Sequence, residues 1–360
     1  MSNLVFVVAG PLDQRTGGYL YDARIVDGLR GLGRDVRVVE LPGDWPAPDD
    51  AARDAFAARL AECADGAVVV VDGLVGGAAP GPIEAERERL RVVALVHHPL
   101  ADEASGGRGE LGAASLEARE ARTLAAARGV IVTSAFTAER VAGLGATPAR
   151  IRIVEPGTEA VPRGGGDART RPDGPVELLC LGSVVPRKDQ GALVRALERM
   201  HAADPRLAWH CRMVGSVRRD PDYATGLVRA TADSTVHDRV EFMGELDDGA
   251  LEEVWRGTDV FVSASRYEGY GMALTEAMVR GLPVVAVAGG AVRCTVPENV
   301  GVLVPCGDID ALADALRRVV SDGACRRALA ARSEAHAGEL PDWPAQVDAF
   351  HAALGELTNG

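Results

Sequence analysis

Short apolar runs of strand length alternate with helix-period segments from one end of the chain to the other. The run NLVFVVAG is followed by a glycine-bearing loop, DQRTGGYLY, and then by an amphipathic segment through Ile25, Leu29 and Leu32 that Gly33 terminates. DVRVVEL, GAVVVVDG, VVALVHH and GVIVTS follow as Val-rich strands with helical segments between them. Continuous apolar strands separated by amphipathic helices are the βαβ rhythm of a parallel sheet buried on both faces. The rhythm restarts at VELLCLGS and runs on through WHCRMVGS, VEFMGEL, DVFVSAS, LPVVAVAG and GVLVP. Between the halves lies PGTEAVPRGGGDARTRPDG, roughly residues 156–174, dense in Gly, Pro and Arg and without periodicity, so it reads as a linker.

The pattern predicts an α/β protein of two Rossmann-like parallel-sheet domains, residues 1–160 and 176–340, joined by 161–175. A chain of 360 residues exceeds one ordinary core, which agrees with two domains. If the two sheets turn the carboxyl ends of their strands toward a common cleft, ligands are expected there.

Composition narrows the ligand. The chain is 47% apolar, 25% charged and 4% aromatic, an ordinary globular balance. Its formal charge of −13 repels phosphate backbones and anionic bilayers, which argues against nucleic-acid partners and stable membrane insertion. Any anionic ligand then needs a local cationic site. Six cysteines (Cys63, Cys180, Cys211, Cys294, Cys306, Cys325) form no C-x-x-C pair, and several sit in apolar runs, the pattern of buried free thiols in a reduced cytoplasm. The opening MSNLVFVVAG lacks a basic n-region and its apolar run is short, so it reads as a first strand.

One cation differs from the rest: of 39 Lys+Arg, the single lysine is Lys188, in SVVPRKDQ. Arg187 and Lys188 follow a strand that ends at Gly182 and precede a helix beginning near Asp189, with Leu193, Leu197 and Met200 on its buried face. They are therefore expected on a loop at the strand's carboxyl end. A guanidinium that forks two oxygens beside a compact ammonium suits a diphosphate, the plain alternative being a solvated loop. In SRYEGYGMALTEAMVRGLPVV a strand ends at Ser265, Gly269 and Gly271 make a turn, and a helix runs from about Met272 until Gly281 and Pro283 stop it. The first N–H groups of that helix, on Met272 and Ala273, open an anion site. Glu268 and Glu276 cannot bind phosphate themselves, but carboxylates there suit hydroxyl groups attached to the phosphates. Such a pair alone would read as solvated helix charges. The surrounding strand, turn and helix favour the site.

RYEGYGMALTEAMVRGLPVVA together with LGSVVPRK resembles glycosyltransferase family 4, retaining sugar-nucleotide transferases of the GT-B fold whose signature is Glu, seven residues, Glu. TGGYLYDARIVDGLRGLGRDVRVV is similar to the family's opening loop and helix, VIVTSAFTAERV and IRIVEPGTE to the end of its first domain, and DRVEFMGELDDGALEEVWRGTDVFVSAS to its donor-base region. DWPAQVDAFHAAL, within 341–358, resembles a final helix that crosses back onto the first domain. The resemblance implies hexosyl transfer with retention from a nucleotide diphosphate donor, UDP-linked by family habit, with no prosthetic cofactor and no metal. Arg187 and Lys188 would neutralise the leaving diphosphate in place of a metal ion. Glu276 would accept hydrogen bonds from the ribose, and Glu268 from the donor sugar. Gly18, beside Gly17, would let backbone approach the phosphates, Gly244 and Leu246 would meet the base through backbone, and Tyr270 shares the donor turn with Gly269 and Gly271. His97 matches a family histidine near the reacting centre. His98 is either an acceptor-side neighbour or a strand-end residue.

The chain departs from the family pattern at Ser183, where Arg commonly follows the glycine of the lysine loop, so one phosphate contact is missing or falls to Arg187. Glu159 stands where Asp is usual. Asp308 and Asp310 in GDIDALADALRRVV have a metal-like spacing, but the apolar period after them marks a helix cap. Gly289 and Gly290 line the site or simply make a turn. No P-loop or dinucleotide fingerprint occurs. The acceptor is expected to be a small, soluble, polar molecule. Residues 1–150 hold 16 Arg against 21 Asp+Glu, which provides no basic face for a bilayer. Asp13, Asp102 and Glu103 fall in loops near the expected acceptor mouth, as acceptor contacts or as solvated acids. Oligomeric state is open, a homodimer included. Two rival readings stand beside transfer: a sugar-nucleotide epimerase on the same fold, and a non-catalytic sugar-nucleotide-binding protein.

Overall fold

The computed structural model describes residues 4–104, 112–159, 161 and 174–359. The chain divides into two compact units, Met1–Gly157 with Pro341–Gly360, and Thr158–Leu340. Most of the expected linker, 161–175, lies outside the described residues.

The first unit is a six-stranded parallel sheet built from β1 (Leu4–Ala9), β2 (Val36–Leu41), β3 (Val68–Asp72), β4 (Arg91–Val96), β5 (Gly129–Val132) and β6 (Ile151–Ile153), in the order β2-β1-β3-β4-β5-β6. Every residue of LVFVVA in β1 is buried, as a strand with neighbours on both edges and helices on both faces must be. Burial of each Val or Leu there contributes about 1.5–3 kcal/mol. At the sheet edge β2 alternates instead, with Arg37 and Glu40 exposed between buried valines and leucine. Because β2 and β3 lie on opposite sides of β1, the chain reverses direction between β1 and β3, and open sheets bind ligands beyond such a point.

The helix Trp343–Thr358 returns to this unit and packs on the helix Gly17–Gly31. Gly28 permits that approach, since a Cβ there would stand 2.2 Å from Cγ2 of Val347. Tyr21 packs edge-on against Trp343 and Phe350, with ring centroids 6.0 and 6.5 Å away.

The second unit repeats the design with β7 (Val176–Leu181), β8 (Trp209–Val214), β9 (Val240–Gly244), β10 (Val260–Ser263), β11 (Val284–Val287) and β12 (Gly301–Val304), all parallel, in the order β12-β11-β10-β7-β8-β9. Its reversal falls between β7 and β10. The loops after those two strands carry Lys188 and Glu268, so the topology itself brings them together. The helix Gln190–Ala203 buries Leu193, Leu197 and Met200, the face its period predicts.

Three local expectations fail. Asp102 and Glu103 lie not in a loop but in the short helix Leu100–Ala104. The TGG segment is not a loop: Gly17 and Gly18 form the first turn of a helix whose N-cap position, Thr16, makes no side-chain capping bond. Leu32 does not continue the buried stripe. It lies past the helix end and is 46% exposed, because the apolar face closes at Leu29. Asp308 caps the helix Ile309–Ser321 by accepting from the N–H of Ala311 at 2.8 Å, and Asp310 pairs with Arg199.

Candidate active site

In the second unit, Pro186–Lys188 form a single tight turn after β7, and Asp189 adopts a left-handed conformation (φ 42°) to cap the following helix. The turn aims both cations at one acid. Lys188 Nζ donates to Glu268 Oε1 at 2.6 Å, and Arg187 Nη1 lies 3.5 Å from Glu268 Oε2 while donating to the Tyr267 carbonyl at 3.0 Å. Arg266 Nε reaches Asp189 Oδ2 at 2.6 Å, and its own N–H bonds the Arg187 carbonyl at 2.9 Å, so the two loops are stitched together. Burial would raise the Glu268 carboxyl, but Lys188 and then Arg187 outweigh it and hold it below the ordinary carboxylate range.

Gly271, with φ of 100°, closes the turn after Glu268 and opens the helix Met272–Val279. Met272 and Ala273 are its first residues, whose N–H groups have no carbonyl of the helix to bond. Glu276 sits one turn in. Its carboxylate makes no hydrogen bond among the described residues, and burial, helped by the charge of Glu159 and opposed by Arg280, raises it to about 7. Arg280 is engaged elsewhere, on Glu252 at 2.8 Å and over the Trp255 ring at 4.8 Å. The loop thus joins two cations and a helix N-terminus, which suit an anion, to a carboxylate lacking a donor.

Other expected donor residues lie around the same strand ends. Ser183 follows β7, with its carbonyl accepting from Gln190 Nε2 at 2.9 Å. Gly244 ends β9 with φ of 69°, and Leu246 packs partly buried beyond it. Gly290 pairs with Glu268 as an isolated parallel bridge.

In the first unit, His97 follows β4 and meets two acids that sequence reasoning missed. Its Nε2 lies 2.9 Å from Asp22 Oδ1 and 3.4 Å from Asp72 Oδ2. Asp22 comes from the helix Gly17–Gly31 and is 2% exposed, while Asp72 ends β3 and accepts from the Leu74 N–H at 2.9 Å. A signal for Asp22 was present: it shares the buried helix face with Ile25, Val26 and Leu29, an acid in an apolar stripe. Gly18 lies against the same ring, where a Cβ would be 3.2 Å from His97 Cδ2. Burial pushes the Asp72 carboxyl up to about 7, with the Asp22 charge adding and His97 opposing. Burial would lower the His97 imidazole, but Asp22 and Asp72 outweigh it and hold it above its ordinary value. The three ligand atoms lie within 4.8 Å of one another, a spacing that could also take a cation.

The expected acceptor-side acids are largely engaged. Asp102 makes a two-pronged pair with Arg140 at 2.9 and 2.5 Å, and Glu103 meets His98 Nε2 at 3.1 Å. Asp13 is exposed in the loop after β1. Among the described residues no helix is long and apolar enough to cross a membrane.

Residues 15–160 match the family model described as Glycosyltransferase Family 4, and residues 175–322 match the one described as Glycosyl transferases group 1. A D-inositol 3-phosphate glycosyltransferase of Actinosynnema mirum is 32% identical over 254 residues, covering 66% of this chain and 59% of that protein. The chain therefore spans less than two thirds of that relative's length. Among solved structures, sucrose-phosphate synthase from Thermosynechococcus elongatus aligns over 98% of both chains with a TM-score of 0.78 at 22% identity. Anabaena HepE in complex with UDP-glucose aligns over 99% of this chain and 100% of that one, with a TM-score of 0.77 at 16% identity. At such identities the likeness is one of fold, GT-B.

Proposed function

Because this chain belongs to glycosyltransferase family 4, we propose that it moves a hexosyl group from a UDP-linked donor to a hydroxyl of a small, soluble, polar acceptor, with retained anomeric configuration and without a metal. The observation that carries the reading is that Lys188 and Arg187 both meet Glu268 at the strand reversal of the second unit, three residues before the glycine that opens the helix Met272–Val279. As the sugar–phosphate bond breaks and the bond to the acceptor oxygen forms, negative charge grows on the diphosphate. Preset cations and helix N–H groups stabilise that charge more than the ground state. Glu268 meets both cations. A donor phosphate takes them over, and Glu268 is then free to accept from sugar hydroxyls. Glu276, without a hydrogen-bond donor of its own, suits the ribose hydroxyls.

A fold neighbour and a relative support the substrate classes: HepE is solved with UDP-glucose, and the Actinosynnema protein is named a D-inositol 3-phosphate glycosyltransferase, after a small polar molecule. The test is incubation with UDP-sugars alone and with a panel of polar acceptors, read by proton NMR. A glycoside of retained configuration is expected. Epimerised donor without acceptor, or saturable UDP-sugar binding without turnover across the panel, would replace the proposal with one of the rival readings.

A further inference from the structure

Two buried carboxylates beside one imidazole are not needed to fill space, because Asn or Leu would fit at lower electrostatic cost. Such clusters of perturbed groups concentrate at functional sites. The His97 ring is held on several sides: Nε2 by Asp22 at 2.9 Å and Asp72 at 3.4 Å, the Cδ2 edge by Gly18, and the ring of Tyr21 in a T-shaped contact with centroids 5.2 Å apart. Its carbonyl accepts from Thr133 Oγ1 at 3.0 Å, so the backbone is pinned too. Nδ1 has no hydrogen-bond partner among the described residues, and the side chain is 17% exposed.

We propose that Asp22 and Asp72 are positioning residues that clamp Nε2–H of His97 inward and leave Nδ1 as the atom that meets a substrate hydroxyl. Above about pH 7, where Asp72 has lost its proton, carboxylates beside the ring can only accept, so the shared proton belongs on Nε2, and a neutral ring then presents a lone pair at Nδ1. A carboxylate behind a histidine fixes its tautomer and raises the basicity of the far nitrogen, which strengthens a hydrogen bond accepted from a hydroxyl. The substrate half of this inference rests on the proposed transferase activity; the clamp itself does not.

Long-range proton–nitrogen NMR of the full chain labelled with 15N-histidine, at mildly alkaline pH, reads the tautomer directly, with His97→Gln assigning the signal. The expected wild-type state is Nε2–H, with Asp22→Ala releasing the ring into a mixture while Asp22→Asn, whose amide oxygen still accepts, retains it. In turnover assays Asp22→Ala and Asp72→Ala should lose about 10–100-fold in kcat, with KM for the UDP-sugar little changed. Asp22→Asn should move the acid limb of the pH profile downward, because the ring loses a charge that raises its pKa. An Nδ1–H tautomer in the wild type overturns the proposal, as do an unchanged tautomer and kcat in both alanine variants. Stoichiometric loss of the His97 signal with added Zn2+ or Mn2+ would make the three residues metal ligands and overturn it equally. If the protein proves to have no transferase activity, the tautomer measurement still decides the clamp.

Discussion

Replacing Lys188 by methionine, which keeps an unbranched side chain one atom shorter and removes its charge, should separate the structural from the catalytic duty of this lysine. In the folded protein Lys188 is the nearer of the two cations to Glu268, at 2.6 Å against 3.5 Å for Arg187, and the paired side chains are 19% and 10% exposed. Breaking a buried pair by removing one partner costs about 3–5 kcal/mol, and the lower end applies because Arg187 remains. The sign with pH is set by Glu268. Its carboxyl is held below the ordinary range, so the pair contributes stability above the carboxyl's unfolded pKa and loses it as pH falls through the depressed value. Urea denaturation should therefore show Lys188→Met destabilised by about 3 kcal/mol near neutral pH, with the difference shrinking as pH falls below about 4. Adding Glu268→Gln removes the stranded carboxylate and should recover most of that stability. Activity should not recover with it. A lost stabiliser of developing charge costs about 10²–10³ in kcat, and the double variant still lacks the ammonium. Wild-type kcat/KM in Lys188→Met, or activity restored together with stability in the double variant, would refute the assignment of Lys188 to the diphosphate.

Four further outcomes are expected. Gly18→Ala should cut kcat several-fold while leaving thermal stability within about 1 kcal/mol, since the gain in helix propensity offsets a contact of 3.2 Å with the His97 ring; unchanged kcat would show the ring free to yield. Turnover should persist in excess EDTA, as the cationic pair and helix start supply the charge; complete inhibition reversed by a divalent ion would contradict this. UDP affinity, measured by calorimetry, should rise as pH climbs through about 7, where Glu276 ionises and can accept ribose hydroxyls. The ligand-free protein should meanwhile lose stability over the pH range between an ordinary carboxyl pKa and about 7, because the raised group makes the folded state bind the extra proton. Glu276→Gln should flatten both slopes, and slopes that survive it would assign them elsewhere.

How much residues alone reveal depends on how local the physics is. The all-apolar run of β1 and the alternation of β2 carry their own positions in the sheet, because burial on two faces or one is written into each strand. The lysine loop and the glutamate turn are legible for a related reason: each comes directly after a strand, and parallel strands deliver their C-terminal loops to the same sheet edge. The pairing of Lys188 with Glu268 is not legible, since it depends on β7 and β10 being neighbours, a non-local fact. Gly17 and Gly18 read as a loop because glycine's low helix propensity dominates a local reading, which cannot see the close approach of His97 to Gly18. Asp22 is the instructive case. An acid on the buried face of an amphipathic helix contradicts its surroundings, and a contradiction of that kind, where local rules fail without an evident structural gain, marks a site even before its partners are known. Its partners, Asp72 and His97, come from two other elements, so only the fold could show that the misplaced charge faces an imidazole.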